Sequence, residues 1–354
     1  MIDRVTILIC IDTLTSGGAE KLLIQMLKRF DYHIFKIDLF VMYHIGVYFD
    51  DIPQQVNFFT KENERGHLSK KYDIEIAFLE GAPTKYIAQR KTMALKIAWV
   101  HIDLLTMHWT QRYYTNNIEE ETCYSLFHKI VFVSHGAMKQ FEKLFPRVET
   151  YKQVILNLID REEIIENATL FQVPKTKMTI CSVGRLKPQK GFDRLIPIID
   201  QLSRVDQLDF HYWIVGSGQQ EDYLKKMIYK LNLNETVHLE GFHKNPYPFI
   251  KCSDIFASVS IAEGYPLVLA EALCLGKAIL STKVAGTTEL LDYGDAGLLV
   301  DTDDQSVYEG LKKIIYSADL RASLSKKAKK RSEIFDPRKT MDQVYKLFSF
   351  NYKV

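Results

Sequence analysis

The sequence of 354 residues contains few cysteines, almost no net charge and no long apolar stretch. Its five cysteines lie far apart and form no Cys-x-x-Cys pair, which argues against a disulfide framework and against a zinc site. The 46 Lys and Arg residues nearly balance 44 Asp and Glu residues, which excludes a protein that binds nucleic acid mainly through bulk charge. The longest apolar runs are about a third of the length that spans a bilayer, so no transmembrane helix is expected.

The cysteines and the first residues also indicate a compartment. Cys10, Cys181 and Cys274 lie in apolar surroundings, where we expect small buried hydrophobic side chains in a reducing environment. The first residues do not form a charged and then apolar signal region followed by a cleavage site. We therefore expect a cytoplasmic protein.

Short β-rich runs alternate with helical patterns along the whole chain, and the length suggests two domains. Strands are predicted in the first half at VTILICI, FKIDLFVMY, DIEIAFLE, LKIAWVH and HKIVFVS, and in the second half at 178–184, 210–216, 236–242, 254–260, 277–282 and 297–301. These runs are apolar on nearly every residue, which is typical of parallel sheets covered on both faces. A polar segment at 156–176 predicts the interdomain connection. We therefore predict an α/β fold with two doubly wound, Rossmann-like domains at 1–164 and 165–335, which face each other across a ligand-binding cleft.

The segment 260–280 predicts a ligand site at a helix start. A helix is expected from Pro266 to about Leu275, with Glu271 between one and two turns inside it. Free N–H groups at its start predict an anion site formed by Tyr265, Leu267 and Val268. A carboxylate beside such a helix start is stabilised as the anion, so Glu263, which precedes Gly264, suits hydrogen bonds from sugar hydroxyls. Alternatively, Glu263 is an ordinary helix-start acid and Glu271 a surface residue.

A second cluster follows the first strand of the second domain. Gly184 ends that strand, Arg185 follows at once, and Lys190 with Gly191 opens the next helix. Two positive charges at the carboxyl end of a strand would stabilise a diphosphate leaving group. The alternative is that both are solvated residues of a loop.

Several motifs, taken in order along the chain, resemble retaining family-4 glycosyltransferases of the GT-B fold. They are Gly17-Gly18-Ala19-Glu20 after the first strand, GRLKPQKGFD, IVGSGQQEDYL, VHLEGF, EGYPLVLAEALCLGKAILST and VAGTTELL. The final segment FDPRKTMDQVYKLF resembles the family's terminal helix, which crosses back onto the first domain. The resemblance thus assigns residues 336–354 to the N-terminal, acceptor-side domain, and makes 165–335 the nucleotide-sugar-binding domain.

The resemblance implies roles for individual residues. Glu263 would contact hydroxyls of the transferred sugar, Glu271 would hold the nucleotide ribose, and Arg185 with Lys190 would neutralise the departing diphosphate. His101 would make a polar contact with the donor sugar and the transition state; otherwise it is a core histidine. Further contacts with the donor are expected from a set of turn and helix-start residues: Gly17, Gly18, Gly216, Gly241, Phe242, Gly264, Tyr265, Pro266, Leu267 and Val268.

The resemblance also implies the reaction. A sugar would move from a nucleotide donor, expected to be a UDP-sugar, to a glycan or lipid-linked glycan with retention and an α-linkage. We expect front-face attack, in which the departing phosphate oxygen accepts the proton of the acceptor. This scheme requires no metal, and no other cofactor is expected. The Asp-x-Asp of DTDD (301–304) lies where loop and capping roles are expected.

The biological setting is expected to be bacterial surface polysaccharide or capsule synthesis. The basic residues Lys70, Lys71, Lys85, Arg90, Lys91 and Lys96 suggest a face that rests on anionic lipid, unless they are ordinary solvated charges. Nucleic acid is not expected as a partner. Two other kinds of function remain open: a catalytically silent partner of another glycosyltransferase, and a sugar-nucleotide epimerase or phosphorylase with the same two-domain GT-B architecture. A dinucleotide dehydrogenase is poorly supported, because Glu221 stands where the third glycine of that motif belongs.

Overall fold

The computed structural model describes residues 4–63, 66 and 69–348, and the chain divides into two compact units. The first unit contains the residues up to Leu158 and those from Pro337 onward, and the second extends from Ile159 to Asp336. Each unit is an α/β structure built around one parallel sheet. The predicted α/β class with two Rossmann-like domains is therefore confirmed.

The first unit is built on a seven-stranded sheet with parallel pairings. Its strands are β1 (Val5–Ile11), β2 (Phe35–Val41), β3 (Asn57–Phe59), β4 (Ile74–Ala77), β5 (Leu95–Val100), β6 (Lys129–Phe132) and β7 (Tyr151–Val154). Its helices before residue 158 are α1 (Gly18–Leu27), α2 (Ala82–Gln89), α3 (Asn117–Ser125) and α4 (His135–Leu144). The order across the sheet is β3-β2-β1-β4-β5-β6-β7. All five predicted strands are present, whereas β3 and β7 escaped prediction because they are short edge strands without a continuous apolar run.

The second unit has a six-stranded parallel sheet. Its strands are β8 (Met178–Val183), β9 (Phe210–Val215), β10 (Val237–Gly241), β11 (Ile255–Ser258), β12 (Ala278–Thr282) and β13 (Leu298–Val300). Its helices are α5 (Arg161–Asn167), α6 (Phe192–Arg204), α7 (Glu221–Lys230), α8 (Tyr247–Cys252), α9 (Leu267–Cys274), α10 (Ala285–Leu290), α11 (Asp304–Tyr316) and α12 (Ala318–Arg331). All six predicted strands are present. The order is β10-β9-β8-β11-β12-β13.

The strand order reverses direction at one point in each sheet. In the first unit the order reverses at β1, which lies between β2 and β4, and in the second at β8, which lies between β9 and β11. Loops that leave neighbouring strands at such a point diverge to opposite faces of the sheet, and the crevice between them is where parallel α/β sheets bind ligands. The loops that follow β8 and β11 are those that carry Arg185, Lys190 and Glu263.

The segment 156–176 is not a simple connection, and the boundary of the units precedes residue 164. Asp160 caps helix α5 by accepting a hydrogen bond from the N–H of Glu163 at 3.0 Å. Ile164 of this helix is buried, and the helix packs against α8 and α9. Helix α5 therefore belongs to the core of the second unit, which moves the boundary to Leu158.

The last described helix, α13 (Pro337–Phe348), packs on the first unit, as the resemblance implied. The Tyr345 hydroxyl accepts a hydrogen bond from the N–H of Asp31 at 3.0 Å, and Lys129 Nζ donates to the carbonyl of Leu347 at 2.5 Å. Phe30 and Phe348 stack with ring centroids 6.1 Å apart. The predicted range continued to residue 354, and its last six positions lie outside the described residues.

Among residues 4–348, apart from the four undescribed positions between 63 and 69, no helix is both long and apolar enough to cross a membrane.

Candidate functional site

An ion pair between the loops after β8 and β11 forms the centre of the candidate site. Lys190 Nζ lies 2.5 Å from Glu263 Oε1, and the Glu263 side chain is only 9% exposed while that of Lys190 is 21% exposed. A small pocket beside Lys190 is lined in part by Ser182, Ser258 and Val268. Lys190 is therefore not a solvated loop residue. The structure joins the predicted phosphate-binding and sugar-binding residues in one contact.

The backbone on either side of Lys190 explains its position. Gly191 has φ +71°, and a Cβ there would lie 2.7 Å from the carbonyl oxygen of Val259, so a side chain is excluded. The neighbouring residue Gln189 fastens this turn to the loop after β11. Its carbonyl accepts from the N–H of Ile261 at 3.0 Å, and its Nε2 donates to the carbonyl of Ala262 at 2.7 Å. Gln189, which the sequence analysis overlooked, thus aligns Lys190 with Glu263.

Two glycines after β9 allow the turn there to pack closely against the loop that carries Arg185. A Cβ on Gly216 would overlap the carbonyl oxygen of Gly184, and one on Gly218 would lie 2.6 Å from the carbonyl oxygen of Leu186. Close packing therefore explains Gly216 without a substrate contact. A direct contact of Gly216 with the donor stays a prediction.

The predicted anion site at the N-terminus of helix α9 has fewer N–H groups than expected. The helix is Leu267–Cys274, with Pro266 as its N-cap, so it is one residue shorter at each end than predicted. The N–H groups of Leu267 and Val268 have no acceptor within the helix, as in the first turn of any helix, whereas that of Ala270 donates to the Pro266 carbonyl at 3.3 Å. Two N–H groups therefore remain at the helix start.

Gly264 and Tyr265 lie against the start of helix α10. A Cβ on Gly286 would overlap the Gly264 carbonyl and lie 2.8 Å from the Tyr265 nitrogen, and the Gly286 N–H donates to the Glu263 carbonyl at 3.3 Å. The Tyr265 ring is buried, and burial raises the pKa of its hydroxyl. The ring of Tyr265 is thus part of the core, and a contact of its backbone with the donor stays a prediction. Gly286 supports the site from a position 22 residues beyond Gly264 and was not singled out in the sequence.

Glu271 and the loop after β10 complete the predicted donor residues. Glu271 is 3% exposed and accepts a hydrogen bond from the Tyr247 hydroxyl at 3.3 Å, so the surface alternative is wrong. Gly241 has φ +75°, and its carbonyl accepts from the N–H of Gly216 at 2.7 Å. Phe242 is 39% exposed, which leaves part of its ring accessible beside the predicted base site.

His101 follows β5 in the first unit and is held on both sides. Its N–H donates to Glu80 Oε2 at 3.1 Å, and its ring lies against Phe78 with centroids 4.9 Å apart. Burial lowers the pKa of His101 to about 3, although the Phe78 carbonyl accepts a hydrogen bond from the ring. Because Nε2 is buried without a hydrogen-bond partner among the described residues, the network assigns the proton to Nδ1. A neutral His101 can accept a hydrogen bond from a hydroxyl, but it does not serve as a proton donor at neutral pH.

Glu80 is a buried carboxyl group that the sequence analysis did not assign. It is 2% exposed, and burial raises its pKa to about 7 in spite of hydrogen bonds from the His101 backbone and the Trp109 side chain. The sequence feature that could have identified Glu80 is its position at the end of the run DIEIAFLE, where a charged residue follows an apolar strand. Glu80 joins the loop after β4 to the loop after β5.

Gly17 and Gly18 begin helix α1 over another buried carboxylate. Gly17 is the N-cap, and a Cβ there would overlap Glu20 Oε2. Glu20 is 4% exposed and accepts a hydrogen bond from the Thr15 hydroxyl at 2.7 Å. The glycine pair therefore makes room for Glu20, which belongs to the same motif. A backbone approach of Gly17 and Gly18 to a substrate stays a prediction.

The predicted basic face does not exist as one face. Arg90 Nε pairs with the fully buried Glu75 at 2.9 Å. Lys96 is itself buried, and its Nζ donates to the carbonyl of Ala88 at 3.1 Å and to that of Arg90. Burial lowers the pKa of Lys96. These residues fasten α2 to β4 and β5, and they leave only part of the predicted set for contact with a lipid surface.

The aspartates of DTDD (301–304) have structural partners. Asp303 caps helix α11 by accepting from the N–H of Ser306 at 2.8 Å, Asp301 pairs with Lys283 at 2.9 Å, and Asp304 pairs with Arg194 at 2.7 Å. The expected loop and capping roles are confirmed. Independence of the reaction from metal stays a prediction.

Comparisons with known proteins match mainly the second unit. The family described as "Glycosyl transferases group 1" matches residues 162–331, which lie within the second unit. A Campylobacter jejuni enzyme, N-acetylgalactosamine-N,N'-diacetylbacillosaminyl-diphospho-undecaprenol 4-alpha-N-acetylgalactosaminyltransferase, is 36% identical over 186 residues, which are 52% of this chain and 50% of the relative. The lipopolysaccharide core biosynthesis glycosyltransferase LpsE of Rhizobium meliloti is 27% identical over 44% of each chain. The alignments thus span about half the length of these relatives.

A solved structure extends the fold comparison to nearly the whole chain. The crystal structure of Anabaena Alr3699/HepE in complex with UDP and glucose matches with a TM-score of 0.79 at 22% identity and covers 97% of this chain and 99% of that one. At this identity the likeness establishes the fold.

Proposed function

Because residues 162–331 match the family of group 1 glycosyltransferases and the chain has the GT-B fold, we propose that it is a glycosyltransferase that transfers a sugar from a UDP-sugar to a lipid-linked glycan. The transfer proceeds with retention, gives an α-linkage and serves the assembly of a bacterial surface polysaccharide or a related glycan. The observation that carries the proposal is the contact between Lys190 and Glu263 beside the start of α9. A cation, a carboxylate and free N–H groups are the partners that a nucleotide-sugar donor requires.

The charge of each group decides which part of the nucleotide-sugar donor it binds. Lys190, Arg185 and the N–H groups of Leu267 and Val268 bind the diphosphate, because they are the positive and donor groups of the site. Glu263 and Glu271 accept hydrogen bonds from hydroxyls of the sugar and of the ribose. The complex of the Anabaena protein with UDP and glucose supports uracil as the base and a hexose as the sugar.

The reaction is a displacement on one face of the sugar. The bond between the anomeric carbon and the diphosphate oxygen breaks, and the acceptor oxygen forms its bond to that carbon on the same face. The acceptor proton moves to the departing diphosphate oxygen, so no side chain has to act as a base. Lys190 is held by Glu263 before the donor binds and shares its charge with the diphosphate as negative charge develops there. No divalent cation takes part.

The acceptor is proposed from the relatives. The Campylobacter enzyme acts on a glycan attached to undecaprenyl diphosphate, and LpsE acts in lipopolysaccharide core synthesis. A lipid-linked acceptor brings the protein to the inner face of the cytoplasmic membrane as a peripheral protein. Nucleic acid is not a partner.

The first test is thermal unfolding with UDP, GDP, ADP and NAD, on the natural chain and on Lys190→Ala. A ligand at 100 times its Kd adds about 2.7 kcal/mol of stability, which is readily measured. We expect stabilisation by UDP that is weaker in the variant. Stabilisation by NAD alone, or by no nucleotide, contradicts the proposal.

The second test measures transfer from a panel of UDP-sugars to undecaprenyl-diphosphate-linked glycans, with and without EDTA. We expect product with an α-linkage in both conditions. UDP binding without transfer to any acceptor favours a catalytically silent partner. Conversion of the UDP-sugar without an acceptor favours an epimerase, and loss of activity in EDTA shows that a metal is required.

A further inference from the structure

We propose that residues 109–113 of the first unit form a saccharide-binding shelf, on which a sugar ring of the acceptor stacks. The aromatic shelf is defined by the side chains of Trp109, Arg112 and Tyr113. This inference adds an acceptor-binding site to the function proposed above. It rests on that function only for the statement that the bound saccharide is the acceptor. Its binding of free saccharide is nevertheless testable without any transfer.

The three side chains contact one another after β5. The rings of Trp109 and Tyr113 meet edge to face with centroids 5.9 Å apart. The Arg112 guanidinium lies 5.4 Å from the Trp109 ring centroid and 5.9 Å from that of Tyr113. Arg112 is exposed, and both rings are partly accessible. Such a surface offers apolar ring faces and planar N–H donors together, which suits the apolar C–H face and the hydroxyls of a sugar.

The shelf is rigid because buried polar groups fix the segment from below. Thr110 is fully buried, and its hydroxyl donates to Glu120 Oε1 at 2.7 Å. The other oxygen of Glu120 lies 2.7 Å from His108 Nε2. Lys85 Nζ donates to the carbonyl of Tyr113 at 2.8 Å. Side chains that are ordered before binding lose little conformational entropy on binding, which favours recognition by a few rings.

Gly81 keeps the rings close to the sheet. Its φ of +86° favours glycine, and a Cβ there would lie 2.9 Å from the Tyr113 ring and 3.3 Å from that of Trp109. A side chain at this position would push the shelf outward. The turn after β4 is thus shaped to receive the two rings.

Glu80 links the shelf to the predicted donor contact at His101. Glu80 accepts a hydrogen bond from the Trp109 side chain and also binds the backbone of His101, so the shelf adjoins the loop of the predicted donor contact. Burial and then the charge of Asp12 raise the pKa of Tyr113. Of the three side chains of the shelf, Arg112 carries the exposed charge, and its planar N–H groups suit hydrogen bonds to the hydroxyls of a sugar.

The intrinsic fluorescence of the full chain tests the proposal directly. The protein has three tryptophans, of which Trp99 and Trp213 are 2% and 4% exposed, while Trp109 is partly accessible. Lipid-free mono- and disaccharides of glucose, galactose and their N-acetylamino forms are titrated without a donor. We expect at least one of them to change the emission, and Trp109→Phe to remove this change.

Variants separate the shelf from a general effect on folding. Arg112→Ala changes an exposed side chain, and we expect it to weaken saccharide binding roughly 2- to 10-fold and to raise the KM for the acceptor with the KM for the donor unchanged. Tyr229→Ala removes an exposed ring of the second unit and serves as the control that changes neither value.

Each outcome decides between alternatives. No emission change with any saccharide overturns the proposal, as does a change that persists in Trp109→Phe. A change with anionic phosphatidylglycerol vesicles but not with saccharides makes the segment a membrane contact instead. Saccharide binding at Trp109 without transfer to any acceptor leaves the shelf in place and contradicts the proposed function alone.

Discussion

Loss of Lys190 should destabilise the second unit because it leaves the carboxylate of Glu263 without its cation. Removing one partner of a fully buried ion pair costs about 3–5 kcal/mol. Here Lys190 is 21% exposed and Glu263 9% exposed, so water partly replaces the lost partner, and we expect about 2 kcal/mol for Lys190→Met. Glu263→Gln should cost less, about 1 kcal/mol, because the ammonium group of Lys190 can turn toward solvent.

The two substitutions should not be additive. The main penalty in Lys190→Met arises from the charge of Glu263, and Glu263→Gln removes that charge. The double variant should therefore be more stable than the sum of the single effects predicts, by about 1 kcal/mol or more. Each single variant should also lower the rate of sugar transfer by about 100- to 1,000-fold.

Native-state hydrogen exchange of peptides from β8 and β11 is the suitable assay, because it reports the stability of the second unit within the full chain. Lys225→Met is the matched control, since Lys225 pairs with Glu221 at 2.7 Å on the exposed surface of α7 in the same unit. We expect a much smaller effect for this control, because exposed ion pairs contribute little to stability. Additive effects of Lys190→Met and Glu263→Gln, or an equal effect in the control, would refute the reasoning.

Three further predictions concern single positions. The raised pKa of Glu80 means that its contribution to stability is present below pH 4.5 and is lost as the pH rises through about 7, by about 3 kcal/mol in total. Glu80→Gln should remove this loss of stability. Hydrogen exchange of peptides from β4 and β5, measured at pH 5 and pH 7.5 in the variant and in the natural chain, tests this. Equal pH dependence in both proteins would contradict a raised pKa of Glu80. His101→Gln should lower the transfer rate without changing the shape of its pH profile between pH 6 and 8, because a pKa of about 3 leaves His101 neutral throughout this range; a changed profile shows that the imidazole titrates during catalysis. Gly286→Ala should lower both the melting temperature and kcat, because its Cβ overlaps the Gly264 carbonyl, whereas Gly297→Ala meets mainly side-chain atoms of Leu291 and should leave kcat unchanged.

The parallel sheets were predictable because their signal is local. Eleven of the strands are apolar runs that can be recognised one at a time, and only the edge strands β3 and β7 lack that pattern. The same holds for the motif from Glu263 to Glu271, where a proline and the helix that follows it fix the spacing. Lys190 and Glu263 were each identified, but the sequence contains nothing that measures the distance between positions 190 and 263.

The residues that were missed act through partners far away in the sequence. Gln189 bonds to Ala262 across 73 positions, and Gly286 is required by the backbone of Gly264. The prediction of one basic face was wrong for the same reason, namely partners that are far away in the sequence. Glu75 and Lys96 are direct neighbours on β4 and β5, and that pairing exists only once the strands are aligned. Burial of a charge is decided by such pairings and not by the charge pattern of the chain.

Buried carboxylates at the carboxyl ends of the strands give these loops their fixed shapes. Glu20 accepts from Thr15, Glu80 from the His101 backbone, and Asp103 from Thr106 at 2.6 Å, all in the first unit. In the second unit Glu263 binds Lys190 and Glu271 accepts from Tyr247. A carboxylate has several acceptor positions, so it can bind a donor of its own loop and still accept another from a ligand. In a site that has to recognise hydroxyl groups, one kind of side chain can therefore shape the loops and bind the substrate, and this is why sequence alone does not separate Glu80 from Glu263.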